Sequence, residues 1–252
     1  MSSTDAQLHE IFTSIQGEGI YLGERQVFVR FSGCNLSCDY CDTDQALSLT
    51  SEYKVEQTPG KHDFKNFKNP VSKDELLNHI LGLYKPNYFV HSVAITGGEP
   101  LLQVDFLKNF LPMLQEKKIR VYLETNGTLS KHLEEIINFV DIISMDIKLP
   151  SSSGSGMEIR DYKFFLETAY LKEVFVKVVV TPSTIIKEVE AAANLVAEVD
   201  NKISFVIQPA TPTKKIKHQP STSDLLAWRT VSKKHLENVK IIPQVHKALG
   251  VF

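Results

Sequence analysis

The sequence predicts an α/β protein: an open, partial barrel of about six parallel strands with helices on the outside. Three observations carry that prediction. Short apolar or alternating segments recur along the chain with helix-period stretches between them. The segments are near-continuous in Val, Ile, Phe and Leu, as strands buried on both faces require. The length, 252 residues, falls close to the ~200–250 residues that barrel-like α/β units reach as one domain.

The strands expected are Gln26 to Phe31, Ser92 to Thr96, Arg120 to Glu124, Asp141 to Ile147, Val174 to Val180 and Ile203 to Gln208, with a weaker seventh at Val239 to Ile242. Val104, Leu107, Leu111 and Leu114 share one helix face, and Pro112 would kink that helix or mark its start. Further helices are expected over Lys73 to Tyr84, Ser130 to Phe139, Asp161 to Leu171, Thr184 to Val199 and Ser221 to Glu237. Repeated strand, helix, strand units favour a parallel sheet with right-handed crossovers, and the good units are too few to close an eightfold TIM-like barrel. Asp42 to Pro70 is polar and reads as an insertion, while Ser151 to Gly156 reads as a mobile loop or a solvated connection. With no internal repeat and no linker, residues 1–252 are expected to form one domain.

Composition removes several classes of function. At 42% hydrophobic and 23% charged, the chain has the balance of a folded globular protein. Lys and Arg number 28 against 30 Asp and Glu, a formal charge of −2, so no positive field gathers nucleic acid. No apolar run approaches the ~20 residues that cross a bilayer, and the first residues have no signal-peptide pattern, so a cytoplasmic location is expected. Cys34, Cys38 and Cys41 are an odd number within eight residues, which is no disulfide framework.

These cysteines follow the first strand in FSGCNLSCDYCDT, close enough for one inorganic centre to meet all three sulfurs. A 4Fe-4S cluster takes about one thiolate per iron, so three cysteines leave one iron open to a substrate or cofactor. A zinc site with His9 or His62 as fourth ligand stays an alternative, although no second Cys or His knuckle is present. Thr96, Gly97, Gly98, Glu99 and Pro100 end the next strand, where two glycines permit close backbone approach by a ligand and a carboxylate could hold an ammonium group. Both motifs sit at C-terminal strand ends, the face where parallel α/β folds carry their sites.

The CxxxCxxC loop, with Tyr40 before the third cysteine, and the GGEP turn together resemble the radical S-adenosylmethionine superfamily. A narrower resemblance, to the 7-carboxy-7-deazaguanine synthase family of queuosine and deazapurine biosynthesis, runs through IFTSIQGEG, FVRFSGCNLSCDYCDT, TGGEPLLQ, ETNGT, SMDIKLPSSSGSG, QPA and PQVHKALGVF. The resemblance implies a radical SAM core whose 4Fe-4S cluster is held by Cys34, Cys38 and Cys41, with S-adenosylmethionine chelated on the open iron. It implies a radical-driven ring contraction of 6-carboxy-5,6,7,8-tetrahydropterin with loss of ammonia. It also implies Mg2+ at Thr43, a flavodoxin-like electron donor and a homodimer.

Carried over residue by residue, the resemblance assigns Ile15, Gln16, Gly17 and Glu18 to the pterin's donor and acceptor edge, Arg30 to its carboxylate, and Thr96 to the substrate. Tyr40, Asp42, Gly98, Glu99, Ser144, Asp146 and Lys148 fall at S-adenosylmethionine positions, with Lys177 and Gln208 as further cofactor candidates. Where the family has SPK this chain has SMDIK, and the alternation of Asp146 and Lys148 also suits a buried ion pair. His246 and the carboxylate of Phe252 correspond to a C-terminal tail, 243–252, that folds back toward the site. Two alternatives are a glycyl-radical activating enzyme, which shares the cysteine spacing and the GGEP turn, and a non-catalytic iron-sulfur or zinc protein.

Overall fold

The apolar segments hydrogen-bond into a ten-stranded sheet. The computed structural model describes residues 5–86, 89–154, 156–213 and 215–250. Seven neighbouring strands run parallel: β3 (Arg25–Phe31), β7 (Ser92–Gly97), β8 (Val121–Thr125), β9 (Ile142–Asp146), β10 (Glu173–Val180), β11 (Ser204–Pro209) and β12 (Val239–Ile241). These are the seven strands expected, each shifted by at most two residues. The helices between them fall where the periodicity put them: α1 (Lys73–Leu83), α2 (Val104–Glu116), α3 (Ser130–Ile136), α5 (Lys163–Ala169), α6 (Ile186–Val199) and α7 (Thr222–Ser232). Ser72 and Ser221 cap α1 and α7 by accepting from the backbone N–H of Glu75 and Asp224. Helix α2 begins at Val104 and runs through Pro112, which therefore does not mark its start.

Three strands of the sheet lie outside the expected set. β2 (Leu8–Ile15) pairs antiparallel with β3; β4 (Glu52–Glu56) pairs parallel with β2; β5 (Phe64–Lys68) closes the edge antiparallel to β4. β2 escapes a period-two search because its register against β3 shifts between Leu8 and Glu10, so His9 is an extra residue and the alternation breaks there. The hairpin of β4 and β5 occupies most of the polar stretch 42–70 and is exposed along much of its length, which hides it from a hydrophobic pattern. Glu56 ties it down: its buried carboxylate accepts from the N–H of Thr13 on β2 and of His62 in the turn. A separate two-stranded ribbon joins β1 (Asp5–Ala6) to β6 (Val71–Ser72).

Alternation along each strand splits the core in two. Val27, Val29 and Phe31 of β3, Val93 and Ile95 of β7, and Val176 and Val178 of β10 face outward and pack under Leu107, Phe110, Leu111 and the other helix residues. Facing inward, Phe12, Phe28, Ala94, Tyr122, Ile142, Phe175 and Val206 form a second cluster. Phe12 on β2 and Val206 on β11 are six strands apart in the sheet yet share this cluster, so the sheet curves into an open, partial barrel. Each such side chain withdrawn from water is worth roughly 1.5–3 kcal/mol. Among the described residues no helix is long and apolar enough to cross a membrane.

The serine segment is tied down where the chain is described. Ser151–Ser153 belong to the one-turn helix α4 (Pro150–Ser153). The Ser151 hydroxyl donates to Glu188 at 2.6 Å, that of Ser152 to the Val179 carbonyl at 2.9 Å, and that of Ser153 to the Leu149 carbonyl at 2.7 Å.

Candidate active site

Two residues beyond each member of the inner apolar cluster, toward the C-terminal end of the parallel strands, the side chains turn polar. Phe28 is followed by Arg30, Ala94 by Thr96, Tyr122 by Glu124, Ile142 by Ser144, Phe175 by Lys177 and Val206 by Gln208. On antiparallel β2 the step runs backwards, from Phe12 to Glu10. This polar layer floors a cleft of about 530 Å³ at the C-terminal strand ends, with the cysteine loop along its rim. Of the residues assigned from sequence, Ile15, Gln16, Gly17, Glu18, Arg30, Cys34, Cys38, Tyr40, Cys41, Asp42, Thr43, Thr96, Gly98, Ser144, Asp146, Lys148, Lys177, Gln208 and His246 all line it. Glu99 does not, and Phe252 lies outside the described residues.

The cysteine loop leaves β3 at Phe31 and is held against the end of β7. The N–H of Gly98 donates to the Phe31 carbonyl at 3.1 Å, and that of Glu99 to the Gly33 carbonyl at 2.8 Å. A Cβ on Gly98 would stand 2.1 Å from the Gly33 oxygen and 3.0 Å from the Cys34 Cβ, so this close approach of loop and strand requires glycine. All three cysteines are free and half-buried. Burial pushes the thiols of Cys34 and Cys38 up, opposed at Cys34 by the Leu36 N–H and at both by the Lys148 ammonium. His62 stands on the β4–β5 hairpin, outside the cleft lining. Three free thiols on one short loop suit a multi-iron body with one iron left open.

Beneath the loop, Asp146 lies between two cations. Lys148 Nζ is 2.5 Å from its Oδ2, and Lys177 Nζ is 3.3 Å from its Oδ1 while also gripping Glu18. Burial opposes the charge on Asp146, but Lys148 and Lys177 outweigh it and hold the carboxyl below its usual range. Burial likewise opposes the Lys177 charge, and Asp146 and Glu18 raise its pKa despite it. Lys148 also sits 5.5 Å over the ring of Tyr40, whose buried hydroxyl has no partner; the Oε1 of Gln208 is equally bare. The alternation of Asp146 and Lys148 therefore makes the ion pair, and makes it on the cleft floor.

Arg30 donates through Nε to Glu10 at 2.8 Å, and its guanidinium lies 5.6 Å over the Phe12 ring. This fixes the plane of the fork; a bidentate partner would meet its remaining N–H groups. Gln16 is more committed than expected. Its amide donates to Gln26 at 3.0 Å and Glu124 at 2.9 Å, and its carbonyl accepts from the Glu18 N–H at 3.0 Å, so it braces the wall with both N–H groups used.

Glu99 lies apart from the other assigned residues. Its side chain is fully buried: Oε1 accepts from the Leu101 N–H and the Thr125 hydroxyl, and Oε2 from the Asn126 N–H at 2.7 Å. It ties the ends of β7 and β8 together and has no face toward the cleft. Burial raises its pKa to about 7 in spite of those donors.

The C-terminal segment returns over the cleft as α8 (Val245–Leu249). The Val245 N–H donates to the Gly17 carbonyl at 2.9 Å, and His246 packs so closely on Gly17 that a Cβ there would meet its Nδ1 at 2.4 Å. Gln244 donates to both Glu18, at 2.8 Å, and Asp42, at 2.9 Å. Burial works against the Asp42 charge, yet His246, Lys247 and Arg30 hold the carboxyl well below its usual range. Glu10, Glu124, Asn126 and Gln244 are site residues that the sequence reading passed over. The two-residue step from apolar to polar along the expected strands would have found Glu124, whereas Glu10 lies on the strand that the sequence pattern hides.

Comparison with known proteins accords with this arrangement. The radical SAM superfamily model matches residues 28–188. The chain is 44% identical to 7-carboxy-7-deazaguanine synthase of Geobacter sulfurreducens over 99% of both chains, and 35% identical to that of Methanothermobacter thermautotrophicus over 98% of both. Among solved structures it is similar to QueE from Escherichia coli, with a TM-score of 0.57 at 18% identity over 94% of this chain and 93% of that one. It is also similar to Streptococcus suis SuiB bound to S-adenosylmethionine, with a TM-score of 0.56 at 21% identity over 85% of this chain and 51% of that one.

Proposed function

Because the chain belongs to the 7-carboxy-7-deazaguanine synthase family of the radical SAM superfamily, we propose that its cleft binds 6-carboxy-5,6,7,8-tetrahydropterin and directs its ring contraction to 7-carboxy-7-deazaguanine. The observation that supports this most is that one cleft carries three free thiols on its rim and, within the same walls, a fixed guanidinium and a layer of hydrogen-bonding side chains. Cys34, Cys38 and Cys41 would hold the 4Fe-4S cluster, and the buried acceptors of Tyr40 and Gln208 together with Ser144, Asp146 and Lys148 would meet S-adenosylmethionine. Bound together, these two groups supply the one-electron chemistry that starts the reaction.

The chain's own residues bind and orient. Arg30, aimed by Glu10, takes the substrate carboxylate. Thr96 and Glu124, joined at 2.7 Å, present an acceptor to the ring's N–H edge. Lys177 holds both Glu18, on the substrate side, and Asp146, on the cofactor side, in place with their charge compensated. The returning tail, through His246 and Gln244, excludes water from the Gly17 and Glu18 side of the cleft.

Mg2+ at Thr43 is part of the same reading. The Thr43 hydroxyl donates to Asp42, and Asp42, Glu18 and His246 offer ligand atoms within 4.8 Å of one another, a set rich in the oxygens a hard cation prefers. A flavodoxin-like donor and a homodimer are what the family resemblance implies, and the cytoplasmic location expected from the sequence belongs to the same reading. The test is anaerobic. Protein reconstituted with iron and sulfide, given dithionite, S-adenosylmethionine, Mg2+ and the tetrahydropterin, is expected to release a product lighter than substrate by ammonia in mass spectrometry. Release of 5′-deoxyadenosine without that product would refute the substrate and keep the superfamily.

A further inference from the structure

The loop carrying Cys34 is latched to the end of β8 by three side chains outside the set assigned from the family. Asn126 Nδ2 donates to Asn35 Oδ1 at 2.8 Å, Asn35 Nδ2 donates to Thr128 Oγ1 at 2.8 Å, and Thr128 Oγ1 donates to Asn126 Oδ1 at 2.6 Å, which closes a ring. The Thr128 N–H adds a bond to the same Asn126 oxygen at 3.2 Å. Asn35 directly follows Cys34, and the Asn126 amide that holds Asn35 also stands 4.0 Å from the Cys34 sulfur. Asn126 is fixed from behind, where its N–H is bound by the buried Glu99 carboxylate. The latch thus connects the first cysteine, through Asn126, to the brace between β7 and β8.

Elsewhere the loop is held by side chains farther along it, Lys215 Nζ on Asp39 at 2.8 Å and Gln244 on Asp42 at 2.9 Å, and by backbone bonds. The Gly33 N–H donates to the Ala46 carbonyl at 2.8 Å and the Asp39 N–H to the Ser153 carbonyl at 3.2 Å. The Gly33 bonds fix the backbone before Cys34, whereas the side-chain ring fixes the residue after it. A thiolate ligand that must be placed to a fraction of an ångström costs less to order when its neighbour is already bonded, and partners behind metal ligands commonly tune affinity ~10–100-fold.

We propose that Asn35, Asn126 and Thr128 are positioning residues: a hydrogen-bonded clamp that sets Cys34 in its metal-binding place before any iron is present, and thereby slows loss of the cluster. The proposal rests on the iron-sulfur reading above. Its distinctive feature is the ring, in which the Thr128 hydroxyl both accepts and donates, so that removing either Asn35 or Thr128 opens the same circuit.

The experiment reads the rate at which a strong iron chelator bleaches the reconstituted cluster, with S-adenosylmethionine absent. Thr128→Val keeps shape and removes the hydroxyl, and Asn35→Ala changes an exposed side chain. Each is expected to speed bleaching roughly 10-fold, with the circular dichroism of the metal-free protein unchanged. Thr128→Ser, which keeps the hydroxyl, should restore the wild-type rate. The double variant Asn35→Ala, Thr128→Val should bleach no faster than either single one, since both open one circuit. Wild-type bleaching in Thr128→Val, failure of Thr128→Ser to rescue, or multiplied effects in the double variant would overturn the clamp. If the wild-type chain takes up no cluster at all, the iron-sulfur reading falls with it.

Discussion

Two layers of the barrel interior, two residues apart on the same strands, do opposite work. The lower layer, from Phe12 through Phe28, Tyr122 and Phe175 to Val206, is packed and apolar; Phe12 stacks on Phe28 with ring centroids 5.1 Å apart and planes 10° from parallel. The upper layer, from Glu10 through Arg30, Thr96, Glu124 and Lys177 to Gln208, is polar and floors the cleft. A β-strand returns the same face every second residue, so a single step along the barrel axis converts packing into chemistry without changing the scaffold. The layer below absorbs the cost of the one above. Charges such as Asp146 and Lys177 can stand almost out of water because they are paired, and because the ring cluster beneath keeps their spacing rigid.

The comparison predicts that changes in the upper layer and its rim cost activity, while changes in the lower layer cost stability. Cys38→Ala should produce the largest effect, abolishing cluster uptake and product release while leaving urea unfolding of the metal-free protein close to wild type; a variant that keeps turning over would break the distinction. Phe175→Ala, in the lower layer, should cost ~3–5 kcal/mol in urea unfolding because its rings and strands cannot close over the void. A loss under ~1 kcal/mol would mean the layer is not the support assumed here.

Glu99→Gln tests the brace between the strands carrying both layers. Folded Glu99 keeps its proton up to about pH 7, against an ordinary value of 4.5, so between those values the native state binds more protons than the unfolded chain. Its contribution is complete below pH 4.5 and is lost as pH rises through about 7, at most ~3 kcal/mol. Urea unfolding at pH 5 and pH 8 should show the wild type losing more stability over that window than Glu99→Gln; equal losses would sink the assignment. The smallest effect is expected from Gln244→Ala, which unlinks the tail from Glu18 and Asp42. Losing about 1 kcal/mol of bonding to charged groups should raise the KM for substrate several-fold and leave kcat alone.

Much of this was legible before any coordinates. Near-continuous apolar strands place themselves, because burial on both faces leaves no polar position to confuse the period, and the cysteine loop stands out by spacing. The missing parts have local physical reasons. β2 is interrupted by the extra residue at His9, which brings His9 and Glu10 together onto the cleft, and so breaks the alternation that would have revealed the strand. Glu99 sits in a motif whose glycines do face the site, and nothing in the letters says that its carboxylate turns back onto Leu101, Thr125 and Asn126. Gln16 and Glu124 look like independent polar residues in sequence, 108 positions apart, and become one hydrogen-bonded wall only when the sheet curves.

The central claim, that the upper layer is built for a carboxylated pterin, is tested most directly by anaerobic calorimetry of 6-carboxy-5,6,7,8-tetrahydropterin binding to wild type and to Arg30→Met. Loss of a bidentate charged contact should weaken binding ~10–100-fold, with unfolding unchanged. Equal affinity in the two proteins would contradict the account.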